Sequence, residues 1–81
     1  MRVTFSERFT RSFADAPEQV QRSFGKQFGH LLRNLRHPSL QAKKYDAQRD
    51  VWQARADLNW RFYFTIEGDT CHMIDIGPHP K

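Results

Sequence analysis

A set of cationic side chains with one tyrosine lies near one predicted sheet in the second half of the chain, and these residue types suit phosphate binding. Arginine and lysine neutralise phosphate charge, and splayed RNA bases stack on aromatic rings and guanidinium planes. A histidine adds a group that changes charge near neutral pH. Together they predict a surface that suits RNA. The set comprises Lys43, Lys44, Arg49, Arg55, Arg61, Tyr63 and His79.

A β-hairpin is predicted to position the arginines at the centre of this set. Between positions 51 and 66, apolar and polar residues alternate on either side of a turn at Asp57-Leu58-Asn59. Successive strand residues point to opposite faces of a sheet, so the residues that share a face with Phe62 should pack on a core. Arg61 and Tyr63 should then project from the other face.

The spacing of the other reactive residues argues against several kinds of site. The four histidines are scattered, and Cys71 and His72 are adjacent on opposite faces of a predicted strand, so no metal site is expected. The sequence has no glycine-rich phosphate loop and no G-x-S-x-G segment, which disfavours common nucleotide-binding and hydrolase sites. We expect neither a metal nor a small-molecule cofactor.

Length and composition limit the fold and its setting. The 81 residues suffice for one small domain, residues 1–81, without a large cofactor cavity. One cysteine excludes an internal disulfide, and no signal-like or transmembrane run occurs, so a cytoplasmic protein without membrane contact is expected. Thirteen Lys and Arg against nine Asp and Glu give a net charge of +4, which favours an anionic partner.

The first half of the chain predicts a short strand followed by two helices. Residues 1–5 alternate as a strand does, and Ser6 can cap a short helix in which Phe9 and Phe13 share a face. Asp15 is expected to cap the second helix, with Pro17 in its first turn. The second helix carries an apolar stripe of Val20, Phe24, Phe28, Leu31 and Leu35.

Two glycines lie beside this apolar stripe. Gly25 and Gly29 are one helical turn apart, and each costs roughly 1 kcal/mol against alanine inside a helix. A close contact between the two helices would explain them, and simple tolerance is the alternative. Pro38 should end the helix, because the residue before a proline is pushed out of the α region.

Strands should occupy the rest of the chain. We predict a strand near residues 42–46, a turn at 47–49, the hairpin, and a last strand from Thr70 to Ile76. Strict alternation would place Cys71, Met73 and Asp75 on one side of this last strand and His72, Ile74 and Ile76 on the other.

This order of elements predicts an α+β domain. Three or four strands should follow the helices, and we take the smaller number. The predicted fold is then an N-terminal helical hairpin packed on a twisted, mostly antiparallel four-stranded sheet in the order β-α-α-β-β-β.

The order of motifs resembles the RelE/ParE superfamily of bacterial type II toxins, over nearly the whole chain. Each motif alone is common, but six in one order are moderately specific. After the helical hairpin they are His37-Pro38-Ser39-Leu40, Lys43-Lys44, Trp52-x-x-Arg55, Asn59-Trp60-Arg61-Phe62-Tyr63-Phe64 and Ile76-Gly77-Pro78-His79.

The resemblance implies two different activities. RelE-like and HigB-like members are ribosome-dependent mRNA endonucleases, whereas ParE-like members poison DNA gyrase and are not enzymes. For a nuclease, the resemblance implies that Arg61 clamps the phosphate, Arg55 shares that role and His79 transfers a proton. The expected contacts to RNA or ribosomal phosphates come from Lys43, Lys44, Arg49 and Tyr63.

Three interpretations therefore remain open: an mRNA endonuclease that inhibits translation, a non-enzymatic toxin that acts on gyrase, and a toxin-fold binding module without catalysis. The resemblance also implies a partner. Toxins of this superfamily are neutralised by a small acidic antitoxin, with which a basic surface is compatible.

Overall fold

Residues 1–79 are described by the computed structural model, and they form two helices and a five-stranded sheet. The strand order across the sheet is β1-β5-β4-β3-β2, with β1 and β5 parallel and the other neighbours antiparallel. In chain order the elements are β1 (Arg2–Phe5), α1 (Glu7–Asp15), α2 (Glu18–Arg33), a 3₁₀ turn (Pro38–Leu40), β2 (Lys43–Asp46), β3 (Val51–Asp57), β4 (Trp60–Glu67) and β5 (Thr70–Pro78).

The α+β class and the mostly antiparallel sheet are confirmed, but the strand count of four is wrong. β2 pairs with β3 as an additional edge strand, so the described chain has five strands. The strand predicted near residues 42–46 is confirmed as the four-residue β2, so four strands follow the helices instead of three.

The core lies between the helices and the face of the sheet that carries Phe62. Phe62 and Phe64 are fully buried, and the Phe24 ring of α2 stands at 89° to the Phe62 ring with centroids 5.1 Å apart. Leu31 is also buried, while Phe28 is half-buried and packs on Phe24. The predicted register of the hairpin is therefore confirmed.

The helix boundaries follow from local hydrogen bonds. Ser6 caps α1 as predicted, because its Oγ accepts a hydrogen bond of 2.9 Å from the Phe9 N–H. Asp15 does not cap α2 and is instead the last residue of α1. The chain turns at Ala16 and Pro17, where the Gln21 side chain donates to the carbonyl of Ala16 and stabilises the junction.

The close contact predicted at the two helical glycines is wrong. A Cβ built at Gly25 or Gly29 would meet no atom of a neighbouring element within 4 Å. The described structure therefore agrees with the alternative, in which the helix tolerates both glycines.

A β-bulge in β5 overturns the strict alternation predicted for that strand. Tyr63 lies opposite Asp75 but Phe64 lies opposite Met73, so Ile74 is an extra residue without a partner. The bulge moves Ile76 to the buried face with Met73 and puts Asp75 on the face of Tyr63. The predicted sides of Asp75 and Ile76 are therefore wrong.

A buried glutamine connects α2 to the strand that carries Arg55. Gln27 Nε2 donates to the carbonyl oxygens of Ser39 and Arg55 at 2.9 Å each, and Ser39 Oγ donates to Gln27 Oε1 at 2.9 Å. Gln27 is only 8% exposed, so water cannot readily replace these bonds. The network fixes the 3₁₀ turn and β3 relative to α2.

Replacing Gln27 with leucine is expected to lower the free energy of unfolding by about 2–4 kcal/mol, because two part-buried carbonyl oxygens lose their donor and Ser39 Oγ loses its acceptor. Denaturant unfolding measures the change. Gln19→Leu, at an exposed position of the same helix, is the control and should change stability by about 0.5 kcal/mol or less. Equal effects of the two substitutions would contradict the network.

Burial of Cys71 predicts a pH dependence of stability. Burial raises the pKa of its thiol to about 11, so the thiol loses its proton at a higher pH in the folded state than in the unfolded chain. The resulting stability is complete below the ordinary thiol pKa and is lost as the pH rises towards 11.

We expect the melting temperature to fall as the pH rises between about 9 and 11. The half-buried Tyr63 adds to this trend, because burial also raises its pKa. Cys71→Ala should start from a lower melting temperature but show a shallower fall. If the melting temperature of Cys71→Ala falls with pH as steeply as that of the unmodified protein, the Cys71 thiol is not the cause of the fall.

Among residues 1–79, no helix is long and apolar enough to cross a membrane.

Candidate nucleic-acid interface

The face of the sheet opposite the helices, here called the open face, carries most of the predicted site residues. Register places Arg55 opposite Arg61, and Arg61 opposite Gly77. One row along the sheet, Gln53 lies opposite Tyr63 and Tyr63 opposite Asp75. Two arginines on adjacent strands thus share one end of this face.

Arg61 is tied to the β3–β4 turn. Its Nη1 donates to the carbonyl oxygens of Asp57 and Trp60 at 3.0 Å each and approaches that of Leu58 at 3.3 Å. Burial lowers the pKa of the Arg61 guanidinium, and the nearby Arg55 lowers it further, although the group stays charged at neutral pH. The turn therefore holds a cation that already experiences electrostatic repulsion.

The Arg55 guanidinium has one nitrogen that is hydrogen-bonded within the protein and another that is unpaired. Its Nη2 donates to Gln41 Oε1 at 2.9 Å, whereas its Nε is buried without a hydrogen-bond acceptor among the described residues. A buried unpaired donor is costly.

The backbone of His79 is fixed at the same end of the sheet. Its N–H donates to the Asn59 carbonyl at 2.7 Å, and the side chain is exposed. Arg61 and the backbone of His79 are held at the β3–β4 turn, and Arg55 lies opposite Arg61; we call these three residues the arginine end.

Tyr63 lines a cleft of about 510 Å³ next to the arginine end. The Tyr45 ring stands at 63° to the Tyr63 ring with centroids 4.9 Å apart. Burial raises the pKa of the Tyr63 phenol, with further contributions from Tyr45 and Asp75, while Arg61 lowers it. Tyr63 is therefore a neutral hydrogen-bond donor at neutral pH. We call this space the tyrosine cleft; it is lined by Arg8, Tyr45, Asp46, Arg49, Val51, Tyr63, Ile74, Asp75, Gly77 and Pro78.

The two predicted lysines lie on different faces of β2. Lys43 is opposite Gln53 and shares the open face, where it is exposed. Lys44 is opposite Trp52, with its Nζ 5.0 Å from the indole centroid, and forms an ion pair with Asp50. Lys44 therefore lies apart from the other site residues.

Arg49 also lines the tyrosine cleft, at the end of the sheet away from the arginine end. Its Nε lies 3.7 Å from Asp46 Oδ2, and its side chain is largely exposed. The seven predicted residues thus divide into the arginine end, a central pair formed by Tyr63 and Lys43, the distal Arg49, and Lys44 on the other face.

Sequence reasoning missed the residues that bulges bring to the open face. The register shift between Lys44 and Asp46 leaves Tyr45 as an extra residue, and it turns its ring to Tyr63. The bulge in β5 brings Asp75 to the same cleft. Neither bulge is marked by a glycine or a proline, so the sequence offers no signal for them.

Gln41, the partner of Arg55, was also missed. It follows the 3₁₀ turn in the left-handed region, with φ of 46°.

Chemically, the open face combines fixed cations with phenol and imidazole groups. No group of three or more His, Cys, Asp or Glu residues able to hold a metal occurs within residues 1–79. The cations can neutralise a phosphate, and the neutral Tyr63 phenol can donate a hydrogen bond.

Comparisons with known proteins link this geometry to solved structures. No family model and no curated protein matches the sequence. The structure is similar to a YoeB/ParE toxin from Agrobacterium tumefaciens, with a TM-score of 0.81, 10% identity and coverage of 99% of this chain and 100% of that chain.

Two structures of complexes are also similar. One is an archaeal RelE-RelB complex from Pyrococcus horikoshii OT3, with a TM-score of 0.80, 14% identity and coverage of 99% and 96% of the two chains. The other is a RelB-RelE antitoxin-toxin complex from Methanococcus jannaschii, with a TM-score of 0.77, 16% identity and coverage of 93% and 88%. The resemblance seen in the sequence is thus confirmed for the fold, and the chain adopts the fold of RelE/ParE superfamily toxins.

Proposed function

We propose that the protein is the toxin of a type II toxin-antitoxin system and cleaves mRNA on the ribosome in the cytoplasm, without a metal ion. The observation that carries this proposal is the arginine end, where Arg55 and Arg61 lie opposite each other beside the turn that fixes the His79 backbone. The fold shared with RelE and YoeB/ParE toxins supports the toxin role.

The proposed reaction needs only proton transfer and charge neutralisation. The ribose 2′-oxygen attacks the adjacent phosphorus as a base removes its proton, and the bond from phosphorus to the 5′-oxygen breaks as that oxygen receives a proton. The products are a 2′,3′-cyclic phosphate and a free 5′-hydroxyl. Fixed cations stabilise the extra negative charge of the intermediate phosphorane.

Each residue has a role that its surroundings support. Arg61 is held by one nitrogen on the turn, and no hydrogen bond within residues 1–79 engages its Nε or Nη2, so these atoms can face a phosphate. Arg55, opposite Arg61 on β3, adds a second positive charge. His79 exchanges protons with the ribose or the leaving oxygen, and the neutral Tyr63 phenol donates a hydrogen bond to the phosphate. Lys43 contacts a neighbouring phosphate.

One observation favours the gyrase-directed alternative. Both arginines already have protein partners, Arg61 on the turn carbonyls and Arg55 on Gln41, as arginines in a purely structural role would. In that case the open face would bind protein without chemistry.

Expression in bacteria separates the candidate functions. Arrest of protein synthesis, with messages cut inside translated codons, supports the nuclease. Induction of the DNA-damage response with intact messages supports the gyrase-directed toxin. Harmless expression of a folded protein would reject both and leave a binding module without catalysis.

We also propose a small acidic antitoxin as the partner. Two similar structures are complexes of a RelE protein with RelB, and this chain carries a net charge of +4. A partner that binds only the folded state raises stability by about 2.7 kcal/mol at 100 times its Kd. We expect the melting temperature to rise when the product of the neighbouring gene is added. An unchanged value at saturation would exclude that product as the partner.

A further inference from the structure

The tyrosine cleft differs in charge from the arginine end. Its two cations each face a carboxylate, with Arg8 Nε 3.2 Å from Asp75 Oδ2 and Arg49 Nε 3.7 Å from Asp46 Oδ2. The charges that line the cleft therefore balance, whereas the arginine end has two cations side by side. A phosphate is favoured at the arginine end, and a neutral group is favoured in the cleft.

Tyr45 presents an aromatic surface to this cleft. The residue is 60% exposed, although an aromatic ring is normally better buried. Its contact with Tyr63 fixes the angle between the rings, and Tyr63 is anchored in the middle of β4. Stacking on such a ring is a common way for proteins to hold an unpaired RNA base.

Asp75 supplies hydrogen-bond acceptors beside the rings. Its Oδ1 accepts from the Ile76 N–H at 2.9 Å and its Oδ2 lies near Arg8, yet 27% of the side chain remains exposed. An ionised carboxylate has about four lone-pair sites, so acceptor capacity remains. The Watson–Crick edge of guanine offers two adjacent N–H donors, whereas that of uracil offers one between two carbonyl oxygens.

The cleft and the arginine end are spaced for one RNA strand. Arg61 and Tyr63 are two residues apart on β4, which corresponds to about 6.8 Å along an antiparallel strand. Both project from the open face. A nucleotide whose phosphate lies at Arg61 can therefore reach the cleft with its own base or that of its neighbour.

We propose that the tyrosine cleft binds a single unpaired RNA base, stacked on Tyr45 and hydrogen-bonded to Asp75, with a preference for guanine over uracil. This inference rests on the proposed action on RNA. It makes Tyr45 and Asp75 residues that select the sequence at the site of cleavage.

Binding of the full chain to short fluorescent 2′-O-methyl oligoribonucleotides tests the inference, because the 2′-O-methyl group blocks cleavage and leaves binding measurable. The oligonucleotides differ at one central position, which holds guanine, uracil or no base. Fluorescence anisotropy gives the Kd. Tyr45→Ala should weaken binding of the guanine oligonucleotide about tenfold, and Tyr45→Phe should stay within about twofold.

Two further comparisons sharpen the test. The oligonucleotide without the central base should bind the unmodified protein and Tyr45→Ala equally. Asp75→Asn should bring guanine and uracil to similar affinities. Gln19→Ala, at an exposed position on α2 away from the open face, is the control and should change none of these values.

Three results would overturn the inference: no binding of any oligonucleotide, a Kd unchanged by Tyr45→Ala, or loss of antitoxin binding in Tyr45→Ala with unchanged RNA affinity. The last result would assign the cleft to a protein partner. Base-selective binding by a protein that leaves messages intact would support the inference and reject the nuclease. Cleavage with unaltered base preference in both Tyr45→Ala and Asp75→Asn would reject the inference alone.

Discussion

Replacing Arg61 with alanine is expected to slow cleavage of ribosome-bound message by about 10²–10³-fold, because a fixed cation no longer stabilises the phosphorane. Lysine should restore only part of the rate. It gives one flexible charge, whereas the guanidinium binds the turn through Nη1 and keeps other donors for phosphate. The rate of message cleavage on purified ribosomes measures the effect.

Arg61→Ala should also lower the free energy of unfolding, and by more than a substitution at an ordinary surface position does. Nη1 satisfies carbonyl oxygens of the turn, and hydrogen bonds to a charged group contribute about 1.5–3 kcal/mol. Sequence alone predicts a loss of only about 0.5–1 kcal/mol for an outward-facing arginine. Rates must therefore be compared at a temperature where unfolding curves show both proteins folded.

Arg11→Ala provides the matched control for Arg61. Arg11 is exposed on α1, so its loss removes the same charge without touching the open face. We expect cleavage by this variant at nearly the unmodified rate. A folded Arg61→Ala protein that cleaves as fast as the Arg11→Ala protein would contradict the phosphate role of Arg61 and favour the gyrase-directed alternative.

Truncation of Phe62 to alanine should cost about 3–5 kcal/mol of unfolding free energy. Phe62 is fully buried, and its ring contacts those of Phe24 on α2 and Phe64 on its own strand, with centroids 5.1 and 5.7 Å away. The loss is a large share of the roughly 5–15 kcal/mol available to a small domain. Urea unfolding followed by circular dichroism measures it.

A neighbouring position on the same hairpin provides the control for Phe62. Leu58 is 73% exposed in the turn, so Leu58→Ala should change stability by about 0.5 kcal/mol or less. A loss below about 1 kcal/mol in Phe62→Ala would mean that the ring does not fill the core as described.

Alternation predicted the central hairpin correctly because both faces of β4 have a clear chemical identity. The apolar residues Phe62 and Phe64 must be buried, so Arg61 and Tyr63 can only face the other way. The pairing of Arg55 with Arg61 depends on a bulge at Ala56, because Asp57 already lies opposite Trp60 across the short turn. The faces of Arg61 and Tyr63 were therefore predictable, whereas the residue opposite Arg61 was not.

Bulges explain most of what the sequence did not predict. One extra residue at Tyr45 and another at Ile74 reverse the sides that strict alternation assigns, so the tyrosine cleft is invisible in the sequence. Such bulges depend on how neighbouring strands pair, and pairing partners are distant in the chain. The strand predicted near residues 42–46 is present as β2, and only the total of four strands was too low.

The helix junction shows a different limit of local signals. Asp15 and Pro17 have the residue types of a helix start, but the chain ends α1 at Asp15 and uses Gln21 to hold the turn. Capping propensity is a local preference of about 1 kcal/mol, which tertiary packing can outweigh. The sequence therefore predicts both helices correctly but wrongly assigns Asp15 as the cap of α2.

Cleavage of a defined message on purified ribosomes tests the central claim most directly. The cut is first mapped, and the message is then made with a single 2′-deoxy nucleotide on the 5′ side of that position. We predict cleavage of the unmodified message with a 2′,3′-cyclic phosphate on the upstream fragment, and none at the 2′-deoxy position. Intact unmodified message in the presence of folded protein, or equal cleavage at the 2′-deoxy position, would contradict the proposed nuclease.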